Sequence, residues 1–134
     1  MRPYTYKVLL FSALCVSYFA YSGYIYKDIP VNPNVDHQLA DEGKKIWQEN
    51  NCVACHQIYQ LGGYLGPDLT NSYSLKGPEY IKAFLKNGTL VMPDFKLTSH
   101  EVDALTAYLK DIDASGSSDP RSFTVSKNGT TYQK

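Results

Sequence analysis

At 134 residues the chain has room for one small domain and an extension, not for two full-sized cores. Thirteen basic residues balance thirteen acidic ones, which removes any net-charge case for a nucleic-acid partner. The balance is uneven, however: Arg2, Lys7 and Lys27 are the only charges before Asp28, and the rest of the chain carries ten bases and thirteen acids.

From Val8 to Tyr26 run nineteen residues without a charge. As a helix they would be roughly 28 Å long, close to a hydrocarbon core of about 30 Å. Arg2 and Lys7 in front of this run place the amino terminus on the cytoplasmic side, and Tyr18, Tyr21, Tyr24 and Tyr26 have the clustering of an interfacial aromatic belt. The expectation is therefore a single-pass anchor over residues 1–27, whose serines and tyrosines suggest that one side packs against protein while another faces lipid. Two alternatives stay open. Ala20-Tyr21-Ser22 offers small residues for cleavage of a secretory signal. Lipid attachment at Cys15 is disfavoured by Leu14 in front of it, so Cys15 reads as an apolar residue of the span. All three readings export the rest of the chain.

Residues 28–35, with Pro30 and Pro33, read as an extended linker. A helix then begins at Asp36 as cap, with Leu39, Gly43, Ile46 and Trp47 on one face, and ends at Asn50-Asn51. Pro78 after Gly77 starts a second helix, with Ile81, Phe84 and Leu85 as its apolar side and Gly88 as its stop. Thr98 and Glu101 form a T-x-x-E capping box for a third, whose stripe continues through Val102, Leu105, Tyr108, Leu109 and Ile112. No run of strands is expected among these helices. The domain is bounded at 36–113; residues 114–134 form a polar tail that opens with a flexible ASGSSDPRS connector. Asn128-Gly129 between short β-prone runs signals a hairpin, either resting on a partner surface or disordered.

The chemistry lies at Cys52-Val53-Ala54-Cys55-His56, the C-x-x-C-H attachment sequence for a c-type haem. Two thiols one turn apart reach the two vinyl groups on one porphyrin edge, and His56 follows directly to bind the iron. A zinc site would need four ligands, with His37 and His100 completing the set; adjacent Cys55 and His56 seldom share one tetrahedral ion. A thiol–disulfide exchange motif would want a βαβ setting. Met92, in Val91-Met92-Pro93, is the available thioether for the opposite side of the iron, where sulfur raises the reduction potential; otherwise it fills a core gap. His100, in the first turn of the capped helix, and His37, beside a cap, read as surface residues. Between the ligands, Gly62 and Gly63 would let backbone approach the porphyrin. A loop carbonyl, that of Pro67 in the first place, would accept from the second ring nitrogen of His56.

The order of Trp47, CVACH, Gly66-Pro67-Asp68-Leu69, Val91-Met92-Pro93 and LTSHEVDALTAYL resembles class I monohaem cytochromes c over about residues 36–113. The resemblance implies an all-α fold of three to four short helices around one covalent haem c. It further implies His56 and Met92 as axial ligands, Pro67 as acceptor, and a crossing of the first and last helices near Gly43 and Tyr108. With its amino-terminal span and its Trp47-to-Cys52 entry into the haem motif, followed by Gly63-Tyr64, the chain is also similar to the membrane-anchored cytochrome c subunit of bacterial nitric oxide reductase. That likeness implies an electron-transfer subunit without catalytic residues of its own. It would sit in the bacterial inner membrane with the haem domain in the periplasm, between a periplasmic donor and an integral-membrane catalytic subunit. The alternatives are an anchored cytochrome for another terminal reductase or oxidase, such as nitrous oxide reduction, and a haem sensor or peroxidase-like enzyme with an open iron site. Lys76, Lys82, Lys86 and Lys96 lie among Asp68, Glu79 and Asp94, a mixed solvated surface.

Overall fold

The computed structural model describes residues 3–27, 33–119, 121, 123–127 and 131–133. It divides into two compact units, Met1–Val31 and Asn32–Lys134. Helix α1 (Pro3–Tyr26) makes up the first, and its Tyr4–Tyr26 stretch is long and apolar enough to cross a membrane. Its leucines, phenylalanines and tyrosines point outward all round, as a lipid solvent requires and water does not. Arg2 lies outside the described residues.

In the second unit, α2 (His37–Glu49) starts where the Asp36 side chain accepts from the Leu39 amide at 3.1 Å, and it buries Ala40, Gly43 and Trp47 on one face. α4 spans Pro78–Asn87, and α5 spans Ser99–Ser115 behind a complete Thr98–Glu101 capping box. α5 packs against α2, and the crossing is tight because Gly43 has no side chain. A Cβ there would lie 2.0 Å from the Ala104 carbonyl oxygen and 2.8 Å from Tyr108 Cβ. Trp47, Ile81, Leu105 and Leu109 form the core cluster, joining α2, α4 and α5. The helical architecture is that of the class I cytochrome c fold.

Several elements depart from the sequence reading. A five-residue helix, α3 (Ser72–Lys76), precedes α4, and two-residue strands β1 (Gln57–Ile58) and β2 (Leu61–Gly62) pair antiparallel. Their turn places Tyr59 and Gln60 at φ 53° and 61°, a left-handed pair that ordinarily calls for Asn or Gly. Side chains from further along the chain hold it: Thr70 Oγ1 accepts from the Tyr59 amide and Asp68 Oδ2 from the Gln60 amide, both at 2.7 Å. The linker ends earlier than expected, since Val35 is buried and Lys110 Nζ donates to the Asn34 carbonyl at 2.5 Å; residues 28–32 lie outside the described residues.

The segment after Asp113 is tied down rather than a free connector. The Asn71 side chain donates to the Gly116 carbonyl at 2.8 Å and accepts from the Ser118 amide at 2.9 Å, and Tyr59 Oη lies 2.7 Å from Ser115 Oγ. Strands β3 (Phe123–Val125) and β4 (Thr131–Gln133) pair antiparallel, with the Phe123 ring 6.0 Å from that of Tyr59. The Asn128-Gly129 turn lies outside the described residues.

Candidate functional site

The left-handed Asn51 (φ 50°) turns the chain out of α2 and into a 3-10 turn over Cys52–Ala54. Asparagine is among the few residues that tolerate this conformation. The turn sets both thiols and His56 on the wall of one cavity of about 550 Å³, within the roughly 300–1,000 Å³ usual for cofactor sites. Met92 and Pro67 reach the same wall, and Trp47, Ile81, Leu105 and Leu109 complete its depth. The four residues of the core cluster therefore double as cavity lining, whereas Val102 and Ala104 on α5 are buried away from it.

His56 is held on three sides. Its Nδ1 lies 3.0 Å from the Pro67 carbonyl oxygen, and a carbonyl can only accept, so the hydrogen of this bond is on Nδ1, and in the neutral ring the lone pair is on Nε2. The Trp47 ring stands 6.3 Å away. Behind the imidazole, Gly66 leaves the needed gap: a Cβ there would lie 2.5 Å from His56 Cε1 and 2.6 Å from Nδ1. Pro67 is in turn kept in place by its neighbours, with the Leu69 amide donating to the Gln57 carbonyl at 2.8 Å and Asp68 clamping Gln60. Burial, with a smaller contribution from the Cys55 thiol, pushes the Cys52 thiol up, against the lowering effect of a backbone hydrogen bond.

Gly63 and Tyr64 are not on the cavity wall. A Cβ on Gly63 would lie 1.8 Å from the Ala54 carbonyl oxygen, and one on Gly62 2.2 Å from that of His56, so both glycines pack beneath the Cys52–His56 turn rather than toward the cavity. Tyr64 is 83% exposed. His100 bonds to Glu42 at 2.9 Å on the surface, and His37 lies 3.8 Å from Asp111; neither lines the cavity. Among the described residues no three of His, Cys, Asp and Glu converge as a metal site, which leaves zinc without a ligand set. Lys82 pairs with Asp103 and Lys96 with Asp94. Beyond the expected residues, Tyr80 and Phe84, with ring centroids 4.6 Å apart and planes tilted by 33°, also line the cavity. Their i, i+4 spacing on α4 was the available signal.

The residues present fit a porphyrin held through two thioethers. The walls are apolar, the thiols share one turn, and an imidazole nitrogen and a thioether are at hand for a metal inside. Residues 38–109, just over half of the chain, match the family model described as cytochrome C oxidase, cbb3-type, subunit III. The chain is similar to the C subunit of nitric oxide reductase from Stutzerimonas stutzeri, 33% identical over 79 residues, 51% of this chain and 54% of that one. It is similar to the corresponding reductase subunit of Halomonas halodenitrificans at 31% over 98 residues, 60% of this chain and 65% of that one. Cytochrome c oxidase subunit 2 of Alkalihalophilus pseudofirmus is 30% identical over 89 residues, 55% of this chain and 26% of that one. The alignments thus span between about half and two thirds of the length of the two reductase subunits.

Proposed function

Because the chain belongs to the family described as cytochrome C oxidase, cbb3-type, subunit III, we propose that it is the membrane-anchored, single-haem electron-transfer subunit of a respiratory complex, nitric oxide reductase in the first place. The observation that carries this reading is an apolar cavity onto which Cys52, Cys55, His56 and Met92 all open. The haem, when bound, supplies an iron that takes up and gives back one electron. The chain's own residues do the rest. Cys52 and Cys55 would hold the porphyrin through thioethers to its vinyl groups, His56 would offer Nε2 with Pro67 fixing the ring plane, and Met92 would offer sulfur, which favours the reduced metal. Trp47, Leu105 and Leu109 exclude water from the site. α1 spans the inner membrane with Lys7 on the cytoplasmic side and the domain in the periplasm. Electrons arrive from a periplasmic donor and leave for a catalytic subunit in the membrane.

The test is to extract the full chain from membranes of cells competent in cytochrome maturation. One added haem mass, lost in the Cys52→Ala, Cys55→Ala double variant, and co-purification of a multi-span nitric oxide-reducing subunit are the expected results. A chain without haem mass sinks the reading. The likeness to an oxidase subunit 2 favours a second reading, an anchored cytochrome of a terminal oxidase, and an oxidase subunit among the companions would establish it instead.

A further inference from the structure

The segment that carries Met92 has little packing to hold it. α4 ends at Asn87, and the next turn pushes its tip into solvent, with Leu90 fully exposed and Val91 63% exposed. Apolar burial therefore does not fix the turn. One side chain does. Thr89 Oγ1 accepts from the Met92 amide at 2.9 Å and from the Val91 amide at 3.3 Å, while the Thr89 amide donates to the Met92 carbonyl at 2.8 Å. The residues at the two ends of the turn thus bond to each other in both directions. Gly88 allows the turn to fold back: at φ 61° it sits where a Cβ would lie 2.7 Å from the Met92 carbonyl oxygen and 2.9 Å from the Asp94 amide nitrogen.

Resting on the reading of Met92 as an iron ligand, we propose that Thr89 is the positioning residue of that ligand, a latch that keeps the methionine turn closed over the cavity and small ligands off the iron. A threonine hydroxyl that satisfies two amides of an exposed turn competes directly with water for them. When it lets go, the turn loses its closure, and the fraction of molecules with the sixth position open rises. Thr89 thereby separates an electron carrier from a gas-binding protein, without touching the iron itself.

The experiment uses the full-length haem-loaded chain and its Thr89→Val, Thr89→Ser, Leu90→Ala and Met92→Ala variants. It reads two quantities: the far-red sulfur-to-iron absorption band of the ferric protein, and the rate at which the ferrous protein takes up carbon monoxide. Thr89→Val is expected to speed uptake on the order of tenfold and to weaken the band on warming. Thr89→Ser, which keeps the oxygen, and Leu90→Ala, at the exposed tip, are expected to match the wild type. If the valine variant does not accumulate, Thr89→Ala takes its place with the same expectation. Met92→Ala without the band, beside a Thr89→Val indistinguishable from wild type, overturns the latch. So does a serine variant as fast as the valine one. A Met92→Ala protein that keeps the band and the slow uptake instead overturns the ligand reading, whatever Thr89 does.

Discussion

Two hydrogens standing in place of side chains set the geometry of the site. At Gly66 a methyl group would drive into the His56 ring, and at Gly43 it would drive into the α5 backbone. The two substitutions differ in what they disturb. Gly66→Ala is expected to displace the imidazole from the Pro67 carbonyl, altering the visible spectrum of the haem-loaded protein with modest loss of stability. Gly43→Ala is expected to pry α2 from α5 at a cost of roughly 2 kcal/mol, a fall of about 10 °C in Tm with little spectral change. Equal spectral effects from both would remove Gly66 from its supporting role. At this scale the grouping of Cys52, Cys55 and His56 was legible because they fall within five consecutive residues, and the structure sets all three on one cavity wall. The role of Gly66 was not, since it depends on a ring that only the folded loop brings near. Gly63 was legible as a close-approach glycine, but not in what it approaches: the approach is to the Ala54 carbonyl.

Among the elements, the helices with local signals were readable: Asp36 before α2, Pro78 at the start of α4, the capping box of α5. The elements missed are those held from elsewhere. α3 is fastened by Asp113, which accepts from Ser74 Oγ at 2.7 Å across 39 residues. The β1–β2 turn hides in Tyr59-Gln60, residue types that announce no turn, because Asp68 and Thr70 satisfy its amides. The α5 cap carries a pH dependence. The Thr98 amide, and after it the Thr98 hydroxyl, holds the Glu101 carboxyl below its usual range. A depressed folded-state value means that its contribution is complete above the ordinary glutamate value of about 4.3 and is lost as pH falls through the folded value. Glu101→Gln keeps an acceptor for the cap but cannot titrate. Its denaturation midpoint is therefore expected to fall less steeply with acidification than that of the wild type. Parallel curves would show that the carboxylate does not act through the cap. Thr98→Ala is expected to cost about 1 kcal/mol at neutral pH, read as a shift in denaturant midpoint.

At the scale of the whole molecule, the chain is an apolar helix and a separate compact unit, and the two predict different behaviour. Replacing residues 1–27 by a cleavable secretory signal is expected to yield a soluble red protein in the periplasm that no longer co-purifies stably with membranes. Persistent membrane association would mean that a face of the domain or its tail holds the complex.

The four side chains that serve as both core and cavity wall carry one more consequence. On the proposed reading the pigment would complete that cluster, leaving the apoprotein only the smaller side chains buried elsewhere, Val35, Ala40, Val102 and Ala104, so that folding would be coupled to maturation. An exported copy without its pigment would then offer its greasy inner face to proteases and be cleared. Only molecules already able to carry charge would survive to compete for a berth in the proposed complex, a form of quality control that needs no dedicated inspector.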